Sequence, residues 1–211
     1  MSQPCSIPLS TQQRAIAPIA AFAATGELAR LRGALAQGLD AGLSVAEIKE
    51  VLVQVYAYAG FPRSLNALGE FMQVLQSRRQ QGMEDEAGRT PGQPIPTGEA
   101  LLAVGTANQT RLAGAPVQGP VFEFAPAIDA YLKTHLFGDI FERDNLDWQS
   151  REVATVAMLS SLVGTDAQLK AHVRISLNVG VSTDHLRELA QVLQAQVGEE
   201  AAQRTRAALS E

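Results

Sequence analysis

Two stretches of this chain repeat one another without a gap. Residues Leu31–Val51 read LRGALAQGLDAGLSVAEIKEV, and residues Leu169–Leu189 read LKAHVRISLNVGVSTDHLREL. Gly42 falls on Gly180 and Glu50 on Glu188. An internal duplication of this kind dictates the architecture before any single motif is weighed. It also supplies a control, because residues found in one copy only mark where function has diverged. His172 is such a residue, with Ala34 as its counterpart.

Apolar residues recur at helical spacing over almost every segment, and alternating strand-like runs are nearly absent. The expected fold class is all-α, an antiparallel helical bundle of two fused repeats. Ser10 is the expected N-cap of a first helix, Gly26 a break, and Glu27–Asp40 a second helix. Ser44 and Glu47 have the spacing of a capping box ahead of a third helix. Gly60-Phe61-Pro62 then interrupts the pattern, and Pro62 suits the first turn of a helix over Arg63–Ser77.

From about Gln80 to Gly119 the chain is rich in glycine and proline, with one short helix expected over Glu99–Thr110. Connections this long inside compact proteins are usually lids, covers or subunit-contact arms. A helix over Ala127–His135 and a turn through LFGDIFERDN lead to the second copy. There Asp147 caps Gln149–Leu162, Gly164 breaks, and Asp166–Asn178 carries His172. Ser182 caps Thr183–Val197, and a last helix covers Glu199–Leu209. The organisation is thus a first repeat over 9–78, an irregular connection or arm over 79–126, and a second repeat over 127–209.

The net charge is −5 and the basic residues are scattered, which speaks against a phosphate-backbone partner such as nucleic acid. No run of about 18 apolar residues predicts a membrane span. The first ten residues lack the basic start and apolar core of a signal peptide, so a cytoplasmic protein is expected. A mature chain with a trimmed leader would read the same. Cys5 is the only cysteine, so no intramolecular disulfide, CxxC pair or cysteine-based metal cluster can form. Three separated histidines without HxxxH or HxH spacing predict no metal site.

The strongest pairing for chemistry is Glu152 with His172. Glu152 lies twelve residues before Gly164 and His172 eight after it, on two helices of a hairpin. At ~1.5 Å rise per residue their heights differ by roughly 6 Å, within reach of both side chains. A carboxylate orienting an imidazole is a general acid/base arrangement; a structural ion pair is the plainer alternative. Tyr56 and Tyr58 stand two residues apart on a helix, so only one of them can face a given pocket. The Gly60-Phe61-Pro62 break exposes helix-terminal N–H groups where an anionic group can sit, unless it is merely a packed aromatic kink. His135 and His185 read as surface or helix-terminal residues.

The stretch from Leu136 to Gly180 resembles the core of the carboxymuconolactone decarboxylase family. It shows Arg151-Glu152 on one helix, then Leu169-x-x-His172 and Leu177-Asn178-x-Gly180. The first copy resembles the same family through Tyr58-x-Gly60-Phe61-Pro62-x-x-x-Asn66. The resemblance implies an all-helical fold assembled in rings of six single-repeat subunits, so a fused two-repeat chain implies a trimeric homo-oligomer. It also implies one of two chemistries. The alkylhydroperoxidase D-like branch uses a CxxC, but this chain has Gly164 and Ala167 or Gln168 where those cysteines are expected, which excludes thiol peroxidase chemistry.

The other branch is similar to 4-carboxymuconolactone decarboxylase of aromatic catabolism, which needs no cofactor. The resemblance implies His172 as general acid and Glu152 as its orienting partner. The substrate is then a small carboxylated lactone or related anionic acid. Arg151 or Arg174 is expected to hold a carboxylate, and Tyr56, Tyr58 and Asn66 to wall the site. The copies have diverged in complementary ways, since the first has Ala15 and Ala34 where the second has Glu152 and His172. One composite site per chain is therefore expected. The long connection departs from the family's single-repeat form and is placed to reshape or cover a pocket. The rival is a non-catalytic small-ligand binding or assembly protein, which predicts a buried, mutually satisfied Glu152–His172 pair with no adjacent cavity.

Overall fold

The computed structural model describes residues 8–210; Cys5 lies outside them. Eleven α-helices follow one another among these residues, and none of the residues forms a strand. The first repeat comprises α1 (Thr11–Thr25), α2 (Leu28–Asp40), α3 (Val45–Ala59) and α4 (Phe61–Gln80). The connection holds α5 (Gly98–Ala113) and the short α6 (Pro120–Phe124). The second repeat opens with α7 (Pro126–Tyr131), which continues as a π-helical segment over Leu132–Ile140. It then forms α8 (Trp148–Ser161), α9 (Asp166–Asn178), α10 (Thr183–Gln196) and α11 (Glu199–Leu209).

The helix starts are chemical before they are tertiary. Ser44 accepts from the Glu47 N–H while the Glu47 carboxylate accepts from the Ser44 N–H. The second repeat uses the same device with Ser182 and His185, so His185 is a capping residue. Gly42 and Gly180, with φ of 88° and 93°, close the preceding helices in the left-handed region that favours glycine.

At the centre α1 packs on α8. Both helices are buried nearly all round: Ile16–Ala24 is continuously buried in α1, and Ser150–Ser160 in α8. Each central helix also contacts a helix of the other repeat, α8 with α3 and α1 with α10, the two that start at Ser44 and Ser182 in the duplicated stretch. The repeats are therefore interlocked about a pseudo-twofold axis, each placing one helix against the other's core.

The connection departs from the expected short helix and turn. Its helix runs three residues further than expected, to Ala113. The stretch read as a turn is instead helical to Ile140, with turns only beyond it. Within it Leu136, Phe137, Ile140 and Phe141 are buried together with Leu112 in a second apolar cluster. Burial of such side chains is worth ~1.5–3 kcal/mol each, enough to hold the widened turns in place. Gly105 of α5 and Gly138 meet at this crossing, where a Cβ on Gly105 would lie 1.7 Å from the Lys133 carbonyl oxygen. Helix α5 of the connection is thus packed against the π-helical segment. Among the described residues no helix is long and apolar enough to cross a membrane.

Candidate functional site

Asp147 caps α8 by accepting from the Ser150 N–H, which sets Arg151 and Glu152 one turn into a buried helix. Gly164, at φ 82°, then turns the chain back into α9. The hairpin brings Glu152 Oε2 within 2.9 Å of His172 Nδ1. Glu152 is fully buried, and its other oxygen, Oε1, has no hydrogen-bond partner among the described residues. The imidazole is thus the only hydrogen-bonding partner that the described residues offer this carboxylate. With Nδ1 facing Glu152, the second nitrogen, Nε2, faces the opposite way.

Nε2 lies 3.5 Å from the hydroxyl of Tyr58, which comes from α3 of the first repeat. The two rings meet edge to face at 77° with centroids 5.5 Å apart. Burial pushes the Tyr58 phenol well above its usual range, and the Glu152 charge adds to the push. A phenol so placed keeps its proton. Its oxygen also lies 3.3 Å from Thr155 Oγ1, which accepts a 2.8 Å hydrogen bond from Gln54 Nε2. Gln54 and Thr155, both fully buried, are support residues that no sequence motif marks. Gln54 stands one turn before Tyr58, which is the only hint of their shared face.

Arg151 and Glu152 are neighbours in sequence but serve different partners. Arg151 is fully buried, and its guanidinium donates to Glu50 Oε2 at 3.0 Å, to the Arg143 carbonyl at 2.9 Å and to Gln54 Oε1 at 3.3 Å. It is occupied in joining the repeats and does not line the cavity described next. Tyr56 also turns away, stacking on Phe61 at 4.5 Å. Asn66 lies on the exposed face of α4. Of the expected substrate-binding residues, Tyr58 and Arg174 are brought to His172, whereas Arg151, Tyr56 and Asn66 are not. His135 pairs at 3.0 Å with Asp139 on an exposed face. No group of three potential metal ligands occurs among the described residues.

A cavity of about 700 Å³ opens beside His172. Its floor is formed by Tyr58, His172, Ala171 and Ile175, and its sides by Leu132, Leu136 and Phe137 of the π-helical segment. The connection closes it with Gln109 and Ala113 of α5 and with the stretch Val117–Phe122. His172 and Arg174 are the only titratable cationic side chains on its lining, which carries no carboxylate. Arg174 stands exposed, with no hydrogen bond or ion pair among the described residues.

The pseudo-twofold equivalent of this place is a smaller hollow of about 200 Å³. Its lining includes Arg14, Ala15, Ala34 and Gln196, which stand where the other half has Arg151, Glu152, His172 and Tyr58. The interlocked fold builds the same composite place twice, with a carboxylate–imidazole pair at one of them only.

Among curated proteins no relative matches this chain. The family model for the carboxymuconolactone decarboxylase family matches residues 8–71 and again residues 126–211. The two matched stretches hold most of the two halves of the interlocked bundle and leave between them residues 72–125, which include the cavity-lining Gln109, Ala113 and Val117–Phe122. With well over half its length matched in two successive blocks, the chain belongs to the carboxymuconolactone decarboxylase family as a fusion of two repeats.

Proposed function

We propose that the chain is a cofactor-free decarboxylase or isomerase acting on a small carboxylated lactone or related anionic acid. The observation that carries this reading is the cavity beside His172, whose Nε2 is directed away from the buried Glu152. A purely structural pair would be sealed from any such space.

In an unsaturated lactone acid the substrate is its own electron sink. As the C–C bond to the leaving carboxylate breaks, CO2 departs and the bonding pair moves through the double bond into the lactone carbonyl, giving an enolate. A proton delivered to carbon then restores the neutral lactone. His172 delivers that proton from Nε2, while Glu152 accepts from Nδ1–H and orients the ring. The Tyr58 hydroxyl, held by Thr155, steadies the ring edge and is placed to share charge on an adjacent oxygen. Arg174 holds a carboxylate that is retained; set against the leaving carboxylate it would stabilise the ground state instead.

The test follows ultraviolet absorbance and proton NMR of 4-carboxymuconolactone with the parent and with His172→Ala. Turnover in the parent and its loss in the variant supports the reading. A parent that releases no CO2 from this or related lactone acids points to a ligand-binding member of the family.

A further inference from the structure

Arg151, Gln54, Thr155 and Tyr58 form a line of hydrogen bonds from behind the site to its edge, and its direction follows from counting hydrogens. A guanidinium donates and never accepts, so Arg151 Nη1, at 3.3 Å, fixes the Gln54 amide with its oxygen toward Arg151. The Gln54 nitrogen then donates to Thr155 Oγ1 at 2.8 Å and to the Arg151 carbonyl at 3.0 Å. Thr155 has one hydroxyl hydrogen to give. The Arg151 carbonyl lies 2.9 Å from its Oγ1, but the lone pairs of that carbonyl are taken by Gln54 and by the Thr155 N–H of the helical ladder. The hydrogen therefore goes to the Tyr58 oxygen, 3.3 Å away. Tyr58 keeps its own hydrogen for His172 Nε2, 3.5 Å off, or for a ligand in the cavity that both residues line. A chain of hydrogen bonds that all run one way strengthens its last donor.

A link that only joined the repeats would be kept at both pseudo-twofold places. The ion pair behind the site is kept, as Arg14 with Glu188. The chain is not, since Thr155, Gln54 and Tyr58 are matched by Pro18, Val192 and Gln196. Neither Pro18 nor Val192 has a side-chain hydrogen-bonding group. The chain therefore occurs only where the carboxylate–imidazole pair occurs. Gln54 and Thr155 are fully buried and do not line the cavity, so whatever they contribute to the site passes through Tyr58.

We infer that Gln54 and Thr155 are positioning residues that lock the Tyr58 hydroxyl as a hydrogen-bond donor aimed into the cavity, where it takes an enolate-type oxygen. This rests on the lactone-acid reading above and deepens it. The lactone oxygen on which charge develops lies at Tyr58, and the carbon that takes the proton lies at His172.

Tetronate, a γ-lactone that is an enolate at neutral pH, is the probe, titrated calorimetrically into the full chain. The parent is expected to bind it, and Gln54→Leu and Thr155→Val each to weaken binding by about tenfold. Thr155→Ser keeps the hydroxyl and is expected to bind like the parent. Thr155→Val is nearly the same shape as the parent side chain, so it carries the test even where Gln54→Leu does not fold. In a Tyr58→Phe background Thr155→Val is expected to cause no further loss, because its effect runs through the missing hydroxyl. Equal losses with and without that hydroxyl, full affinity in Thr155→Val, or a parent that does not bind tetronate overturns the inference. CO2 release from lactone acids is read separately. Coupling of Thr155 to Tyr58 in tetronate binding, without CO2 release, upholds the donor chain and sinks the decarboxylase reading. CO2 release that is unchanged in Thr155→Val does the reverse.

Discussion

Arg151 in α8 of the second repeat donates to Glu50 in α3 of the first, 3.0 Å away and wholly out of solvent. Its pseudo-twofold partner is the ion pair between Arg14 and Glu188, which runs the other way between the repeats. The two are unequal. Arg14 is largely exposed, whereas Glu50 is also gripped by Arg143 and Asn145. The buried copy sits directly behind the site, joined to it through Gln54 and Thr155.

Burial by itself would raise the Glu50 carboxyl, but hydrogen bonds from Arg143, Asn145 and Arg151 outweigh it and hold the group below 4.5. A depressed folded value contributes stability that is complete above the unfolded value and is lost as pH falls through the folded one. Urea unfolding of the parent is therefore expected to show stability that holds above pH ~4.5 and declines below it. Glu50→Ala strands a buried guanidinium and is expected to cost ~3–5 kcal/mol at pH 7. Its acid decline should be shallower than the parent's. Matching slopes for the two proteins would rule out Glu50 as the group responsible.

The composite character of the site is tested by Tyr58→Phe. The change removes one oxygen and leaves the ring packing against His172 intact. Turnover is expected to fall roughly 10- to 100-fold, the scale of ~1.5–3 kcal/mol for a hydrogen bond to a charged group. KM and melting temperature should stay close to the parent's. Asn66→Ala, on the exposed face of α4, should turn over normally. An unchanged Tyr58→Phe would confine the chemistry to the second repeat.

How much of this was legible beforehand depended on what constrains each residue. The Glu152–His172 pairing followed from counting residues on both arms of a hairpin, because helical rise is the same in every sequence. The capping serines were equally plain, since a side chain three residues from an N–H is a local matter. The partner of Arg151 was not legible. Helix α8 is buried on every face, so no amphipathic stripe gives its rotational phase, and neighbours about 100° apart cannot be assigned to different sides. For the same reason the choice between Tyr56 and Tyr58 stayed open until α3 was docked. Gln109 left no mark, because the connection has no second copy to compare with and its glycines obscured how tightly it packs.

That tight packing can be tested at Gly105. A methyl group there would meet the Lys133 carbonyl oxygen at 1.7 Å and the Gly138 nitrogen at 3.0 Å, both backbone atoms that cannot swing aside. Gly105→Ala is expected to push α5 off the π-helical segment, costing ~1–3 kcal/mol. The displaced wall should also raise KM more than it lowers kcat. Gly69→Ala in α4, with open space around its Cβ, provides the control and is expected to stabilise by ~0.5–1 kcal/mol. Equal melting temperatures for Gly105→Ala and the parent would show that the cap yields freely.

Glu152→Gln separates catalysis from architecture most directly. Removing one partner of a buried ion pair is usually destabilising because the other charge is stranded. Here the other partner is an imidazole, a ring that is also stable without a charge, so no fixed charge is stranded as it would be with a guanidinium. The variant also removes a buried carboxylate whose Oε1 has no partner among the described residues, a costly arrangement in its own right. Stability is therefore expected to hold within ~1 kcal/mol of the parent or to rise. Turnover should move the other way and fall ~10²- to 10⁴-fold, the range attributed to a positioned acid or base, since His172 loses both its orientation and its counter-charge. A thermal melt and a progress curve on one preparation decide the matter. Lost stability with retained turnover would make Glu152 a structural residue and leave His172 to work alone.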